Sequence, residues 1–145
     1  MKRILGTLFI LAAALAFVLL SGVTAVQAQC TNATLTGNYG FTFSGFQFRG
    51  NKGASLPWQG VGLMTFDGAG NASGNFTFSL NGQITAGAPY TGTYTVNPDC
   101  TGSVTGAPPI GGDNATFVIV SGGTEVFAVD TSTYGVTMTL DFKKQ

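Results

Sequence analysis

The sequence contains no histidine and only two cysteines, Cys30 and Cys100. Without histidine, the chain cannot form the nucleophile–histidine pairs of many hydrolases or a metal site that depends on imidazole. The two cysteines lie far apart, have no Cys-x-x-Cys spacing and have no basic neighbour that would lower a thiol pKa. Paired carboxylates are therefore the main acid–base chemistry that remains.

The acidic residues do not indicate such a pair. Asp67, Asp99 and Asp113 fall in turn sequences, where an aspartate usually bonds its own backbone. The other three lie at or beside strand ends and are expected to be solvated: Glu125, Asp130 and Asp141. Calcium takes six or more ligands, and the Asp67–Asn71 segment offers two side chains. We therefore predict no catalytic residue, no metal site and no cofactor, and we expect a protein that is not an enzyme.

Charge is also scarce, because charged residues make up 8% of the chain. No basic patch is present, which excludes nucleic acid as an expected partner. The segment 29–145 has four basic and six acidic residues, which gives a net charge of −2. Twelve phenylalanines and four tyrosines supply enough apolar area for a folded core despite the low charge.

The one long hydrophobic run lies at the N-terminus. A basic start, Lys2-Arg3, precedes the apolar segment Ile4 to Leu20, and Val26-Gln27-Ala28 resembles a cleavage signal. This pattern predicts a signal peptide over residues 1–28, removed near Ala28, and a single domain over 29–145. The alternative is an uncleaved membrane anchor, since the run approaches the length of a span. We predict a secreted chain, extracellular or periplasmic, with no stable membrane span after cleavage.

Export has a consequence for the cysteines. Two cysteines in an oxidising compartment usually pair, so we predict a disulfide between Cys30 and Cys100. The bridge would tie the start of the domain to the segment after Asn97-Pro98-Asp99. A structural role is favoured over a reactive one.

Alternation of apolar and polar residues dominates the domain. Tyr39, Phe41 and Phe43 alternate with glycine, threonine and serine, and similar runs recur along the chain. A period of two is typical of strands with one apolar face. Eight strands are predicted, at about 37–48, 58–66, 73–80, 90–96, 101–105, 115–121, 124–130 and 134–142. The segments 45–57, 86–89 and 106–114 are expected to be irregular loops.

The turn signals place consecutive strands in hairpins. Asp67 to Asn71, Asn81-Gly82 and Gly122-Gly123 each mark a reversal. The predicted fold is an all-β, single antiparallel up-and-down barrel of about eight strands, with a β-sandwich as the alternative. A helix is expected in the signal peptide, and helix is expected to be minor after residue 29, where no stretch has a period of 3.6. The predicted core is Tyr39, Phe41, Phe43, Met64, Phe66, Phe76, Phe78, Tyr94, Phe117, Ile119, Phe127, Val136, Met138 and Leu140.

Four motifs carry a family resemblance. They are CTNATLTGNYGF (residues 30–41), TFDGAGN (65–71), GTYTVNPDCTG (92–102) and FVIVSGG (117–123). Together they resemble an uncharacterised family of small secreted bacterial proteins, and GTYTVNPDCTG is the most specific of the four. The resemblance implies a calycin-like or allene-oxide-cyclase-like β-barrel and a disulfide, and it implies no activity. Lipocalins proper carry Gly-x-Trp in the first strand, where this chain has Gly37-Asn38-Tyr39.

Three classes of function are consistent with these patterns. The first is a non-enzymatic binding module with a small apolar ligand inside the barrel, lined by Tyr39, Phe41, Phe43, Met64, Phe66, Phe76, Phe78, Tyr94, Phe117, Phe127 and Met138. The second is a surface or matrix protein that self-associates. The third is a cyclase or isomerase that shapes an apolar substrate. A small outer-membrane barrel is a further alternative, since such barrels also alternate. Trp58 is expected to cover one mouth of the barrel.

Overall fold

The computed structural model describes residues 29–48, 53–106, 114–132 and 135–145. These residues form one closed barrel of eight antiparallel strands, in which each strand pairs with the next and β8 pairs with β1. The strands are β1 Thr36–Phe48, β2 Ser55–Asp67, β3 Asn71–Leu80, β4 Gln83–Val96, β5 Thr101–Gly106, β6 Asn114–Val120, β7 Glu125–Asp130 and β8 Val136–Lys144. Short 3₁₀ turns occupy Asn32–Thr34 and Ser121–Gly123. The predicted up-and-down barrel is confirmed, and the alternative of a β-sandwich is wrong.

The predicted signal peptide, residues 1–28, lies outside the described residues, as do Asp113 and the centre of the expected loop 106–114. Across the described part of the chain, no helix has the length and hydrophobicity that a membrane crossing requires.

One predicted loop is wrong. Residues 86–89 belong to β4, which pairs with β3 from Gln83 to Thr93 apart from a bulge opposite Thr77. Gly87 in this bulge has a φ of 64°, a conformation that glycine adopts readily. Pro89 is tolerated because β4 pairs with β5 only from Gly92 onwards, so among the described residues the proline has one neighbouring strand, β3.

The expected loop 45–57 is likewise shorter than predicted. β1 continues to Phe48 and β2 begins at Ser55. Pro57 again lies where its strand has one described neighbour, because β2 pairs with β3 only from Trp58. Both prolines lie in segments that were predicted to be loops, and both occupy strand positions that have a single neighbouring strand among the described residues.

The two ends of the barrel differ. The first end, here called the closed end, carries the N-terminal segment 29–35 and the turns after β2, β4 and β6. Leu35 is fully buried there, below the rings of the interior. The predicted disulfide is present and joins Cys30 to Cys100 across this end, where the Cys30 amide also donates to the Pro98 carbonyl. The opposite end, here called the far end, carries the connections after β1, β3, β5 and β7.

The core lies inside the barrel and contains most of the predicted residues. Phe78, Val136 and Leu140 are only partly buried but pack against it. Phe127 contradicts the prediction, because 45% of its surface is exposed and it points outward. The strand Glu125–Asp130 is apolar at four consecutive positions, so its sequence does not show which residues face the interior. Pairing with the neighbouring strands places Val126 inside. Further buried residues not predicted as core are Leu35, Trp58, Ala72, Val96, Ala115, Val126 and Phe142.

Candidate ligand-binding cavity

An internal cavity of about 90 Å³ lies among the core side chains. Seven of the residues predicted to line a cavity do so: Phe41, Phe43, Met64, Phe66, Phe76, Phe117 and Met138. The others in its wall are Leu35, Trp58, Ala72, Tyr90, Val104, Ala115, Val126, Ala128, Asp130, Leu140 and Phe142. The cavity therefore extends from Leu35, at the closed end, toward the far end of the barrel.

Four predicted lining residues lie elsewhere. Tyr39 and Tyr94 are buried at the closed end, outside the cavity wall. Phe78 packs against Trp58, with ring centroids 5.8 Å apart, and does not reach the cavity. Phe127 is on the outer surface, because register turns that position of β7 outward.

The volume decides between a hollow and a filled barrel. A water needs roughly 10–15 Å³ of such space, and an engineered apolar cavity of about 150 Å³ holds benzene. Pockets for drug-sized ligands are larger, at about 300–1,000 Å³. Aromatic side chains thus fill most of this interior, and about 90 Å³ remains for a molecule no larger than a small ring.

Ring contacts hold the cavity wall in place. Phe43 meets Trp58 edge to face at 5.6 Å and Phe76 at 5.9 Å, and Phe41 stacks on Phe142 at 5.1 Å. Such pairs add about 0.5–1.5 kcal/mol each beyond the burial of their area. Each of these rings contacts at least one ring from another strand, so the wall is a connected network and the cavity has a defined shape.

The wall carries one buried donor that makes no hydrogen bond. Trp58 is 4% exposed, and its indole Nε1–H has no partner among the described residues. An unpaired buried donor costs about 1–3 kcal/mol, and such groups are rare in native proteins. The sequence of β2 could have predicted that Trp58 faces the interior, because Trp58 lies an even number of positions from Met64 and Phe66, on the same face of the strand.

Asp130 is the second polar feature of the wall. Its carboxylate accepts hydrogen bonds from the amide of Ser132 at 3.0 Å and from the Ser132 hydroxyl at 3.1 Å. The sequence predicted a solvated aspartate at a strand end, whereas the side chain borders the cavity. The sequence analysis missed this position because the sequence of β7 does not show which of its residues face the interior.

The tyrosines of the closed end are structural hydrogen-bonding groups. The Tyr94 hydroxyl donates to the Leu35 carbonyl at 2.8 Å and accepts from the Gly68 amide at 3.0 Å. The Tyr39 hydroxyl donates to the Gly123 carbonyl. Burial raises the pKa of both phenols above the ordinary value, and the neighbouring Tyr94 contributes to the shift of Tyr39. Both hydroxyls therefore stay protonated at neutral pH and act as donors.

The turn aspartates bond their own backbone, as predicted. The Asp67 carboxylate accepts from the amides of Ala69, Gly70 and Asn71 and from the Asn71 side chain. These bonds, the Asn71 side chain first, lower the pKa of Asp67 to about 2. Asp99 likewise accepts from Thr101, whose hydroxyl is the main cause of its lowered pKa.

The remaining acidic residues differ from one another. Glu125 forms an ion pair with Lys143 at 3.4 Å. Asp141 is partly exposed at a strand position paired with Phe127 and Thr42, and its Oδ1 is buried without a described hydrogen-bond partner. Within the described ranges, no group of three acidic or cysteine side chains is placed to hold a metal ion.

Comparison with known proteins supports the fold. No protein-family model and no curated protein matches the chain significantly. The solved structure of a redesigned β-barrel superposes with a TM-score of 0.52 and 20% sequence identity, over 82% of this chain and 99% of that chain. At this identity the similarity concerns the fold alone, so the chain is similar in architecture to a redesigned β-barrel.

Proposed function

We propose that this protein is a secreted, non-enzymatic β-barrel that binds a small apolar molecule in its interior. The observation that carries the proposal is the cavity of about 90 Å³, whose wall is formed almost entirely by apolar side chains. A dry, preformed apolar space binds small apolar molecules, because the ligand regains dispersion contacts that the empty wall lacks.

Secretion is proposed on two grounds. The N-terminal sequence has the pattern of a signal peptide, and Cys30 is bonded to Cys100, as is usual in oxidising compartments. We also propose membership of the secreted bacterial family with the GTYTVNPDCTG motif. In this chain that motif forms the end of β4, the turn and the start of β5, and it carries one half of the disulfide.

The first experiment is native mass spectrometry of the protein purified from its own culture medium. We expect a mass beginning near Gln29, with an additional mass that is lost on denaturation. A full-length chain in the cell pellet would contradict secretion. If the native and denatured masses agree, the protein should still bind a small hydrocarbon such as cyclopentane, and failure to do so would overturn the binding proposal.

A matched pair of variants tests whether the ligand binds inside the barrel. Ala115 faces the cavity on β6, and its neighbour Thr116 faces outward. Ala115→Leu places three additional carbons in the cavity and should abolish hydrocarbon binding at a cost of about 1–3 kcal/mol in stability. Thr116→Leu should leave binding unchanged. Equal binding by both variants would place the ligand outside the barrel.

Self-association is the second candidate, favoured by an apolar patch on the outer surface. Val118 and Phe127 lie directly opposite each other on β6 and β7, and Val129 follows on the same face. All three are at least 40% exposed. If this patch joins copies of the chain, sedimentation will show oligomers that Phe127→Thr dissolves. A monomer at all concentrations would contradict this candidate.

The direction of the alternation disfavours a membrane barrel. Outer-membrane barrels turn their apolar face to lipid, whereas here phenylalanines face inward and threonines face outward on most strands. Liposome flotation of the purified protein checks this, and we expect the protein to stay in the aqueous fraction.

Polar groups at the cavity wall keep a cyclase or isomerase as a candidate. These polar groups belong to three residues that line the cavity, Trp58, Tyr90 and Asp130. Turnover of an apolar ligand bound by the purified protein would decide in favour of an enzyme.

A further inference from the structure

The unpaired indole of Trp58 carries information about the ligand. Trp58 lines the cavity, and its indole N–H is buried with no acceptor among the described residues. Buried donors in native proteins are nearly always paired. A donor left unpaired beside a cavity therefore marks the place where an acceptor on a bound molecule belongs.

The surroundings of Trp58 hold the indole in position. Its ring makes edge-to-face contacts with Phe43 at 5.6 Å and with Phe78 at 5.8 Å. It projects from β2, where its strand partners are Gly45 of β1 and Leu80 of β3. A ring fixed on two sides presents its N–H in one direction, which favours selection of a ligand by hydrogen bonding.

The charge of the cavity wall limits further which chemical classes of ligand can bind. Among the described residues that line the cavity, Asp130 is the one that carries a carboxylate. Its negative charge disfavours a ligand that carries a carboxylate or phosphate. A cation would lose most of its hydration in a wall that is otherwise apolar, and the carboxylate already accepts two hydrogen bonds from Ser132.

We propose that Trp58 anchors a small, neutral, apolar molecule that carries one acceptor oxygen, such as a ketone, aldehyde, ester or ether. The indole N–H donates to that oxygen, and the phenylalanine rings enclose the hydrocarbon part. A pure hydrocarbon would leave the N–H unpaired. This inference rests on the proposed function, since it assumes that the cavity binds a small apolar molecule.

Two probes of nearly equal shape test the inference. Cyclopentanone and methylenecyclopentane differ in having C=O or C=CH₂ at one position, so their size and shape are nearly matched and the acceptor oxygen is the main difference. Dissociation constants are measured from the backbone amide resonances of Ala115 and Ala128, which line the cavity, in the original protein and in Trp58→Phe. Trp58→Phe should weaken the binding of the ketone roughly fivefold relative to the alkene, as expected for loss of one net hydrogen bond.

A second measurement needs no variant. Trp58 is the single tryptophan of the chain, so its indole N–H produces a single resonance in a nitrogen–proton spectrum. That proton resonance should move downfield on saturation with cyclopentanone and stay nearly unchanged with methylenecyclopentane. Thr116→Leu is the control, because Thr116 faces outward on β6 and does not line the cavity. It should leave the preference between the two probes unchanged.

The outcomes separate the inference from the proposed function. If both probes bind with the same preference in the original protein and in Trp58→Phe, the inference is overturned and the binding function stands. The same holds if the indole proton does not move with the ketone, which would indicate that the N–H packs against a neighbouring ring. If neither probe binds, the proposed function fails and the inference fails with it.

Discussion

At the scale of single residues, the hydroxyl of Tyr94 connects three segments of the closed end. It donates to the Leu35 carbonyl, lies 3.1 Å from the Asn32 carbonyl, and accepts from the Gly68 amide. The ring itself packs edge to face on Phe66 at 5.2 Å. The ring thus belongs to the core, and the hydroxyl fastens the N-terminal segment and the β2–β3 turn to it.

Tyr94→Phe should therefore lower the free energy of unfolding by about 1–3 kcal/mol, because it keeps the ring and leaves buried backbone groups unpaired. Urea denaturation measures the change. Thr95→Val is the control, since the next side chain of β4 is exposed and should shift stability by no more than about 0.5 kcal/mol. A Tyr94→Phe variant as stable as the original would show that water replaces these bonds.

The lowered pKa of Asp67 predicts that the stability of the protein depends on pH. Its folded-state pKa of about 2 lies below the ordinary value of about 3.9 in unfolded chains. The carboxylate therefore stabilises the fold fully above about pH 4, and this contribution is lost as the pH falls toward about 2. Thermal unfolding at stepped pH should show a steeper loss of stability in this window for the original protein than for Asp67→Asn. A titration midpoint for the Asp67 carboxyl at its ordinary unfolded-state value would contradict the prediction.

At the scale of elements, inward glycines on β2 and β5 make room for aromatic rings from other strands. A Cβ on Gly60 would lie 2.6 Å from Cε1 of Phe43, and one on Gly102 would lie 2.2 Å from Cζ of Phe117. An eight-stranded barrel is just wide enough to be filled by side chains. Large rings on one strand therefore require the absence of a side chain on its neighbour.

Gly60→Ala should destabilise the protein by about 1–3 kcal/mol, because the added methyl group meets both Phe43 and the Thr77 carbonyl. Gly40→Ala is the matched control on β1. A Cβ there would meet only the end of the Gln145 side chain, which is free to move aside. Equal denaturation midpoints for the two variants would show that the Phe43 ring has other space available.

At the scale of the whole molecule, closure and the disulfide act together. Pairing of β1 with β8 closes the sheet and removes the two edge strands that an open sheet would have, which protects a charge-poor chain from pairing with other copies. The disulfide links positions 70 residues apart and holds the N-terminal segment, with Leu35, against the barrel end. The covalent link therefore secures the residue that closes the cavity on one side.

Replacing both cysteines by alanine should lower the free energy of unfolding by about 2–4 kcal/mol, since the long loop becomes unconstrained in the unfolded chain. Urea denaturation with and without a thiol reductant measures this. The reductant should weaken the original protein and leave the double variant unaffected. If the original protein unfolds at the same urea concentration in both conditions, the bridge contributes nothing measurable.

Much of this architecture was determined by the sequence alone. Alternation with a period of two predicted eight strands, and Asp67–Asn71, Asn81-Gly82 and Gly122-Gly123 marked turns that the structure confirms. These features are local: a strand face and a tight turn depend on residues a few positions apart. The Cys30–Cys100 pairing was also predicted, because two cysteines leave a single intramolecular choice.

Other features were decided only by the tertiary structure. Phe127 turned outward because register with β6 and β8 sets the phase of a strand that is apolar on both faces. Residues 86–89 belong to β4 because they pair with β3, a contact between two strands that the proline and glycine of this segment did not predict. The cavity volume and the unpaired Trp58 indole depend on how rings from distant strands pack together. Packing of this kind is set by contacts between residues far apart in the chain, and a local pattern carries no information about it.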